Sequence, residues 1–405
     1  MDKIRNFEEL ISDYIGPFKT VVDTKSSNLT APGENYLSDI IKIDIVLKDK
    51  ITNKNEDLSL VAKLTINHEF MGPTHNITKN EVIFYRDVIP AIKRFHRKHG
   101  LPSPSFYPDF AGGRINLTGD EDKADEDAVL VLENLVTKGY KNQDRHVGCD
   151  LATSMLILKD LATFHAVPLA MRLLEPEEFS TLTKKISIAM PPTKKKDNKP
   201  PTIFKIMIDT LNANDKHKTA ADKLKKMLAD FSKAMEEDPE KMFNNDTIRT
   251  FSTIVHQDVW INNTMQVMEN DVAIKNKFVD FQMCQLGMPA DDLIFFLFSS
   301  VEFTCLKDNL DSLIKHYYES FISILKQLNL YTEDFSYEKF LEEFKTPGKL
   351  AIVRTLFMLP NVIFGEKGKA AEHEKMKEMT VEDIHPIALK KMLLLCVESA
   401  QRDWF

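Results

Sequence analysis

The hydrophobic period changes part-way along the chain, and a fold of one layer type cannot satisfy both halves. Early on, apolar residues cluster in short blocks: Ile40, Ile41, Ile43, Ile45 and Leu47, then Leu58, Leu60, Val61 and Leu64, then Ala128 through Leu132. Short β-branched runs between polar turns read as strands. Beyond residue 136 the spacing becomes helical. Leu151, Met155, Leu158, Leu161, Ala162 and His165 share one face, as do Leu310, Leu313, Ile314, Tyr317, Phe321, Leu325 and Leu328, and then the positions at 387–395. A β-like island at 251–255, 264–268 and 277–281 interrupts this half. Elements segregated in this way predict an α+β chain of two lobes, a small β-rich one over 1–135 and a larger, mostly helical one over 136–405.

Local signals add detail. Residues 6–20 read as a polar helical start and 31–35 as a turn. The first two β runs make a hairpin across 48–57. A helix follows over 78–99, with Thr78 and Glu81 at capping-box spacing. Gly112-Gly113 and the acidic stretch 120–127 read as a solvated loop. Asp150 stands where a cap for the next helix belongs. Pro191-Pro192 and Pro200-Pro201 bracket three lysines, which predicts a flexible insertion near 190–202.

Composition excludes several classes. Lys and Arg number 53 against 61 Asp and Glu, a net charge of −8, so no basic excess points to nucleic acid. The longest apolar run, 293–298, is far short of the roughly 18 residues of a membrane span. The first residues carry no apolar leader core. Four widely spaced cysteines, Cys149, Cys284, Cys305 and Cys396, have neither metal nor redox spacing. Free thiols imply a reducing compartment, and the expectation is a cytoplasmic protein. Asn262-Asn263-Thr264 fits a glycan acceptor, but a glycan there would block the site described next.

The island carries the chemistry. It reads His256-Gln257-Asp258-Val259-Trp260-Ile261-Asn262-Asn263, then Phe278-Val279-Asp280-Phe281-Gln282. Asp258 follows one strand, Asn263 opens the next, and Asp280 ends a third after a hairpin at Asn270-Asp271. Two carboxylates and a carboxamide then project from neighbouring strand ends. Phosphoryl transfer needs this inventory: a carboxylate to orient and deprotonate a hydroxyl, and hard oxygen ligands for Mg²⁺. A carboxylate about 4 Å from a phosphate oxygen is repelled by about 4 kcal/mol at an effective dielectric near 20, and a bridging cation reverses the sign. Aspartates after strands also serve as plain turn residues; the joint spacing favours function. In the small lobe, Lys63 follows Val61-Ala62 on a strand, as the phosphate-binding lysine of kinases does, and Glu81 on the next helix is placed to hold it. An exposed strand lysine and a capping glutamate are the plainer readings. The glycine signal is thin. Only Gly33 to Ser38 stands in a phosphate-cradling position.

These residues resemble a known group. Asn80-Glu81-Val82-Ile83-Phe84-Tyr85, Val131-Leu132-Glu133-Asn134-Leu135 with Gly139-Tyr140, Leu161-Ala162-Thr163-Phe164-His165-Ala166, the 256–263 loop, and Val279-Asp280-Phe281-Gln282 with Asp292-Leu293 occur in the order found in the ecdysteroid kinase-like family. That family is related to choline kinases and aminoglycoside phosphotransferases. The resemblance runs from Gly33 to about Gly365. It implies a protein-kinase-like bilobal fold and transfer of the γ-phosphoryl group of ATP to a small-molecule alcohol. It further implies Asp258 as catalytic base, Asn263 and Asp280 as Mg²⁺ ligands, Lys63 on the phosphates with Glu81 as its partner, Ser38 at the phosphate loop, and Glu133 to Leu135 as the hinge under adenine. One residue departs from the pattern: Gln257 stands where the relatives usually have Gly. His256 and His165 read as structural, and Trp260 as packing beneath the loop.

The acceptor is less legible. Phe281, Phe295, Phe296, Phe298, Phe303, Phe321 and Phe357 could line an apolar pocket for a steroid or a lipophilic xenobiotic alcohol, or simply pack the core. An acidic chain equally suits a cationic acceptor. Two other functions compete: a catalytically inactive relative that binds nucleotide or a lipophilic ligand, and a metal hydrolase using His256, Asp258 and Asp280. The hydrolase lacks a further ligand cluster and leaves Lys63 and Glu81 unexplained.

Overall fold

A computed structural model describes residues 4–29, 38–68, 72–186, 201–237, 248–345, 348–365, 376 and 378–405. The loop at 33–37 and nearly all of the expected insertion near 190–202 lie outside the described residues.

Five antiparallel strands build the small lobe: β1 (Lys19–Asn28), β2 (Asp39–Asp49), β3 (Asn55–Leu64), β4 (Phe110–Arg114) and β5 (Val129–Glu133), side by side in the order β1-β2-β3-β5-β4. The expected hairpin is β2 and β3, with Ile43 opposite Leu60. The alternation along β2 and β3 sends Ile41, Ile43, Ile45, Leu47, Leu60 and Ala62 to one face, where Ile4, Phe7 and Ile11 cover them. Because successive side chains point to opposite faces, Lys63 faces the other way, toward the helical lobe. β5 is buried on both faces: Val129 and Val131 join the small core, Leu130 and Leu132 the large one.

Two expectations fail here. Residues 6–20 form only two single-turn helices, Phe7–Leu10 and Ser12–Ile15, before β1 begins. β1 is a mostly exposed edge strand rich in Lys, Thr, Asp and Ser, so it shows no apolar alternation to read. Gly112 and Gly113 lie in β4 and not in a loop. A Cβ on Gly112 would collide with the carbonyl oxygen of Leu10, so the glycine admits the N-terminal helices onto the sheet.

The predicted helix over 78–99 begins earlier, at His75, and runs to Lys98 through a π turn at Phe84–Val88. Thr78 is therefore not a cap. It lies inside the helix, its hydroxyl donating to the Thr74 carbonyl at 3.3 Å. The π turn has a local cause: Pro90 lacks the N–H that would meet the Arg86 carbonyl, and Ile89 bonds five residues back to Phe84.

In the helical lobe, Asp150 caps Leu151–Leu174 as expected, accepting from the Thr153 N–H at 2.7 Å. Leu151 and Met155 are exposed, against expectation, while Leu158, Leu161, Ala162 and His165 are buried. Among the described residues this is the one helix long and apolar enough to cross a membrane, and 72% of its apolar window is buried inside the fold. Pro289–Ser300 is buried throughout, and Phe303–Gln327 packs along Leu151–Leu174. The hairpin of Thr264–Glu269 and Val272–Phe278 turns at Asn270 and Asp271, both with positive φ. Phe281, Phe295, Phe296, Phe298 and Phe321 are core residues, and Phe303 and Phe357 are half-buried. Packing accounts for most of the phenylalanine richness.

Candidate active site

The site assembles where β3, the His75–Ile83 helix and the β island meet. Lys63 Nζ lies 2.6 Å from Glu81 Oε2 and 2.6 Å from Asp280 Oδ1. Glu81 is thus a lysine partner and not a capping-box residue. Its other oxygen accepts the Phe281 N–H at 3.1 Å, so one buried carboxylate ties the strand lysine to the Asp280 turn. Asn80 ties the same turn from the neighbouring position, donating to the Gln282 and Cys284 carbonyls at 2.9 and 3.0 Å. Phe281 stacks on Phe84 at 4.7 Å and meets Tyr85 edge-on at 5.4 Å. The helix and the Asp280 turn are therefore locked by an ion pair, amide bonds and aromatic packing together.

Asp280 has φ +69° and ψ +57°. A left-handed aspartate is tolerated where its short side chain bonds locally, and Gln282 Nε2 donates to Oδ2 at 3.3 Å. Asp280 follows the strand by two residues and Asn263 precedes Thr264–Glu269 by one, so both sit on strand ends as the spacing predicts. The Val279 N–H donates to the Asn263 carbonyl at 3.0 Å, which sets Asp280 beside Asn263. Asn263 Nδ2 donates to the carbonyl and to Oδ2 of Asp258 at 2.8 and 2.9 Å. Lys63, Glu81, Asp280, Asn263 and Asp258 therefore form one connected cluster.

Electrostatics follow from burial. Desolvation pulls the Lys63 ammonium down, but the two carboxylates outweigh it and hold it above the ordinary lysine range, so it stays charged. Burial pushes the Asp258 carboxyl up to about 8, helped by the Asp280 charge and opposed by Arg354 and by the Asn263 hydrogen bond. A carboxyl near neutrality suits proton abstraction.

The donor set fits a hard divalent cation. With Nδ2 of Asn263 on Asp258, its Oδ1 is the oxygen left for a metal, and the Val279 bond to the Asn263 main chain brings the Asp280 turn to the same strand ends. Mg²⁺ is held by one or two such groups and completes its shell with water and phosphate oxygens.

The remaining expected residues are spread more widely. Ser38 is buried one residue before β2. Leu135 opens a 3-10 turn (Leu135–Lys138), so its N–H has no partner inside that turn. The side chain of Glu133 matters more than a backbone-only hinge implies. It is buried and accepts from the Asp109 N–H at 2.8 Å, from Lys277 Nζ at 3.0 Å and from Lys138.

The profile of the ecdysteroid kinase-like family matches residues 32–330. The chain belongs to the ecdysteroid kinase-like family. Comparison with curated proteins returned no match. Among solved structures it is similar to a Plasmodium vivax ethanolamine kinase (13% identity, 94% of this chain and 84% of that one, TM-score 0.39). It is also similar to the spectinomycin phosphotransferase APH(9)-Ia in complex with ADP and spectinomycin (11% identity, 93% of each chain, TM-score 0.42). A third is aminoglycoside 2'-phosphotransferase-IIIa in its GDP complex (10% identity, 94% and 93%, TM-score 0.38). TM-scores this low leave the family match to carry the assignment.

In this family member two residues organise the loop: one that the resemblance includes without a role, and one that sequence reasoning passed over. Asp292 is fully buried. It accepts from the main-chain N–H of His256 at 2.7 Å, of Gln257 at 2.8 Å, and from His165 Nε2 at 3.0 Å. Burial alone would raise its carboxyl, but the His165 bond and the nearby imidazoles hold it below the usual range. His165 is thus a satisfied core histidine, its Nδ1 bonded to the Tyr317 hydroxyl at 2.8 Å. His256 is structural as expected. Its Nδ1 accepts the Asp258 N–H at 3.3 Å, so the proton sits on Nε2, which meets the Val279 carbonyl at 3.0 Å. Trp260 is buried in the large core. The overlooked residue is Arg354, the one charged residue in the stretch 351–358; that isolation was the available signal.

Proposed function

We propose that the protein transfers the γ-phosphoryl group of ATP to a hydroxyl of a small molecule. The observation that carries this reading is the single cluster in which a Lys63–Glu81–Asp280 triad, its lysine and glutamate buried, adjoins the Asp258–Asn263 pair. Lys63 would bind the nucleotide phosphates and Glu81 would keep it aimed. Asp258 would accept the acceptor's proton as the hydroxyl attacks, its raised pKa matching that task. Asn263 and Asp280 would hold Mg²⁺, which supplies charge neutralisation on the phosphates. The Ser38 segment would close over the phosphates, and the backbone from Glu133 to Leu135 would meet adenine. The lobes divide between 135 and 136, at the 3-10 turn, in a protein of the reducing cytoplasm whose four cysteines are free thiols. The acceptor is an ecdysteroid or a lipophilic xenobiotic alcohol.

A second reading, nucleotide binding without turnover, draws support from Gln257 in place of glycine. The test incubates the protein with labelled ATP, Mg²⁺ and pooled lipophilic and cationic alcohols. Magnesium-dependent label on an alcohol is the expected result. Magnesium-dependent ATP binding with no labelled alcohol favours the second reading, and no nucleotide binding at all overturns both.

A further inference from the structure

Gln257 adopts a backbone conformation that suits glycine. Its φ is +64°, in the left-handed region that glycine enters without steric cost. Its side chain is nonetheless present and buried. Arg354, on the Gly348–Met358 helix, grips it. The Nη1 group donates both to the main-chain carbonyl of Gln257 and, at 2.9 Å, to its Oε1. The Nη2 group donates to the Asp291 carbonyl at 3.3 Å. The guanidinium lies 4.4 Å from the centre of the Phe295 ring. From the other side, Asp292 Oδ1 takes the Gln257 N–H. A Cβ on Gly287 would collide first with Val255 Cγ2 at 2.5 Å and also come within 3.3 Å of Gln257 Nε2.

We propose that Arg354 is a positioning residue for the catalytic turn: its hold on Gln257 fixes the peptide on which Asp258 rides. This deepens the phosphotransferase reading and rests on it. Asp258 is the next residue in the chain, and its own N–H has only the long bond to His256. Rotation of the 257–258 peptide would therefore carry the carboxylate away from the attacking hydroxyl. A displacement of about 1 Å costs about a hundredfold in rate. The hold depends on a planar fork with several donors, which a lysine ammonium does not reproduce.

The test uses the full chain and three readouts: hydrogen exchange of the 256–263 amides, ATP affinity with Mg²⁺, and turnover. Arg354→Met is expected to raise exchange at 256–263 about tenfold and to lower kcat about 10- to 100-fold, with nucleotide KM nearly unchanged. Arg354→Lys should restore only part. In a Gln257→Gly background the same Arg354→Met change should do less, because the side-chain half of the grip is already gone and only the main-chain carbonyl remains to be released. Unchanged exchange at 256–263 overturns the proposal, and so does an equal loss in both backgrounds. Should Arg354→Met fail to fold, Arg354→Lys carries the same comparison. Exchange does not depend on turnover. A loosened turn in a protein that phosphorylates no alcohol would sink the phosphotransferase reading and leave the positioning role standing. A rigid turn in an active Arg354→Met enzyme would do the reverse.

Discussion

Replacing Lys63 with Met removes one charge and strands two. The ammonium touches both carboxylates at 2.6 Å, and the three side chains are 9%, 1% and 17% exposed for Lys63, Glu81 and Asp280. An exposed pair at this distance would contribute about 1 kcal/mol or less. Removing one partner of a buried pair costs about 3–5 kcal/mol, because the remaining charge loses its compensation without regaining water. Lys63→Met should therefore lower the unfolding free energy of the ligand-free protein by about 3–5 kcal/mol in a urea titration near neutral pH. The loss should depend on pH. Burial already pushes Glu81 up to about 7, even with Lys63 against it, and the variant would push it higher. A carboxyl raised in the folded state binds a proton that the unfolded chain has released, so stability falls as pH rises from the unfolded value near 4.3 through the folded one. The deficit should thus be smallest in acid and grow toward neutrality. Adding Glu81→Gln should recover part of it, a coupling of about 0.5–3 kcal/mol. A loss under about 1 kcal/mol that ignores pH would refute the idea that these charges are desolvated.

Three further outcomes are expected. Asp258→Asn should cut phosphoryl transfer by about 10²- to 10⁴-fold while sparing ATP binding. It should also stabilise the fold near pH 7, since the native carboxyl, raised to about 8, destabilises increasingly as pH rises from its unfolded value toward that one; retained turnover dismisses it as the base. Asp280→Asn should abolish the effect of Mg²⁺ on nucleotide affinity in calorimetric titrations, and an unchanged metal response removes it as a ligand. Asp292→Asn should cost about 3 kcal/mol and slow turnover. Because the native carboxyl is held low, its contribution is present above the unfolded value near 4 and lost as acid protonates the folded form; wild-type stability across that range would rule out its anchoring role.

The division into a sheet and a helical lobe was legible because the hydrophobic period reports which faces are buried, and β2, β3 and β5 bury theirs. The edge strand β1 was not, since a solvent-facing edge places no demand on its side chains. The capping-box reading of Glu81 failed for a related reason. Spacing of three residues is shared by caps and by any helix face, and only the long-range contact with Lys63 decides between them. Asp258, Asn263 and Asp280 could be read together because the turns that carry them are local. The roles of Asp292, which the motif includes, and of Arg354 could not. Each acts on main-chain groups distant in number, so residue spacing alone does not reveal the partner.

The π turn at 84–88 has a further consequence. An extra residue in one turn advances everything after it by about 100° around the axis. Upstream lies Glu81, aimed at Lys63; downstream lie Ile92 and Phe95, seated in the large core. Both seats can be filled at once only because the winding slips between them. A single-residue deletion in this stretch would restore a regular spiral and force the molecule to surrender either its ion pair or its buried anchor. A one-residue gap here would therefore cost one of those two contacts and would not be a harmless shortening.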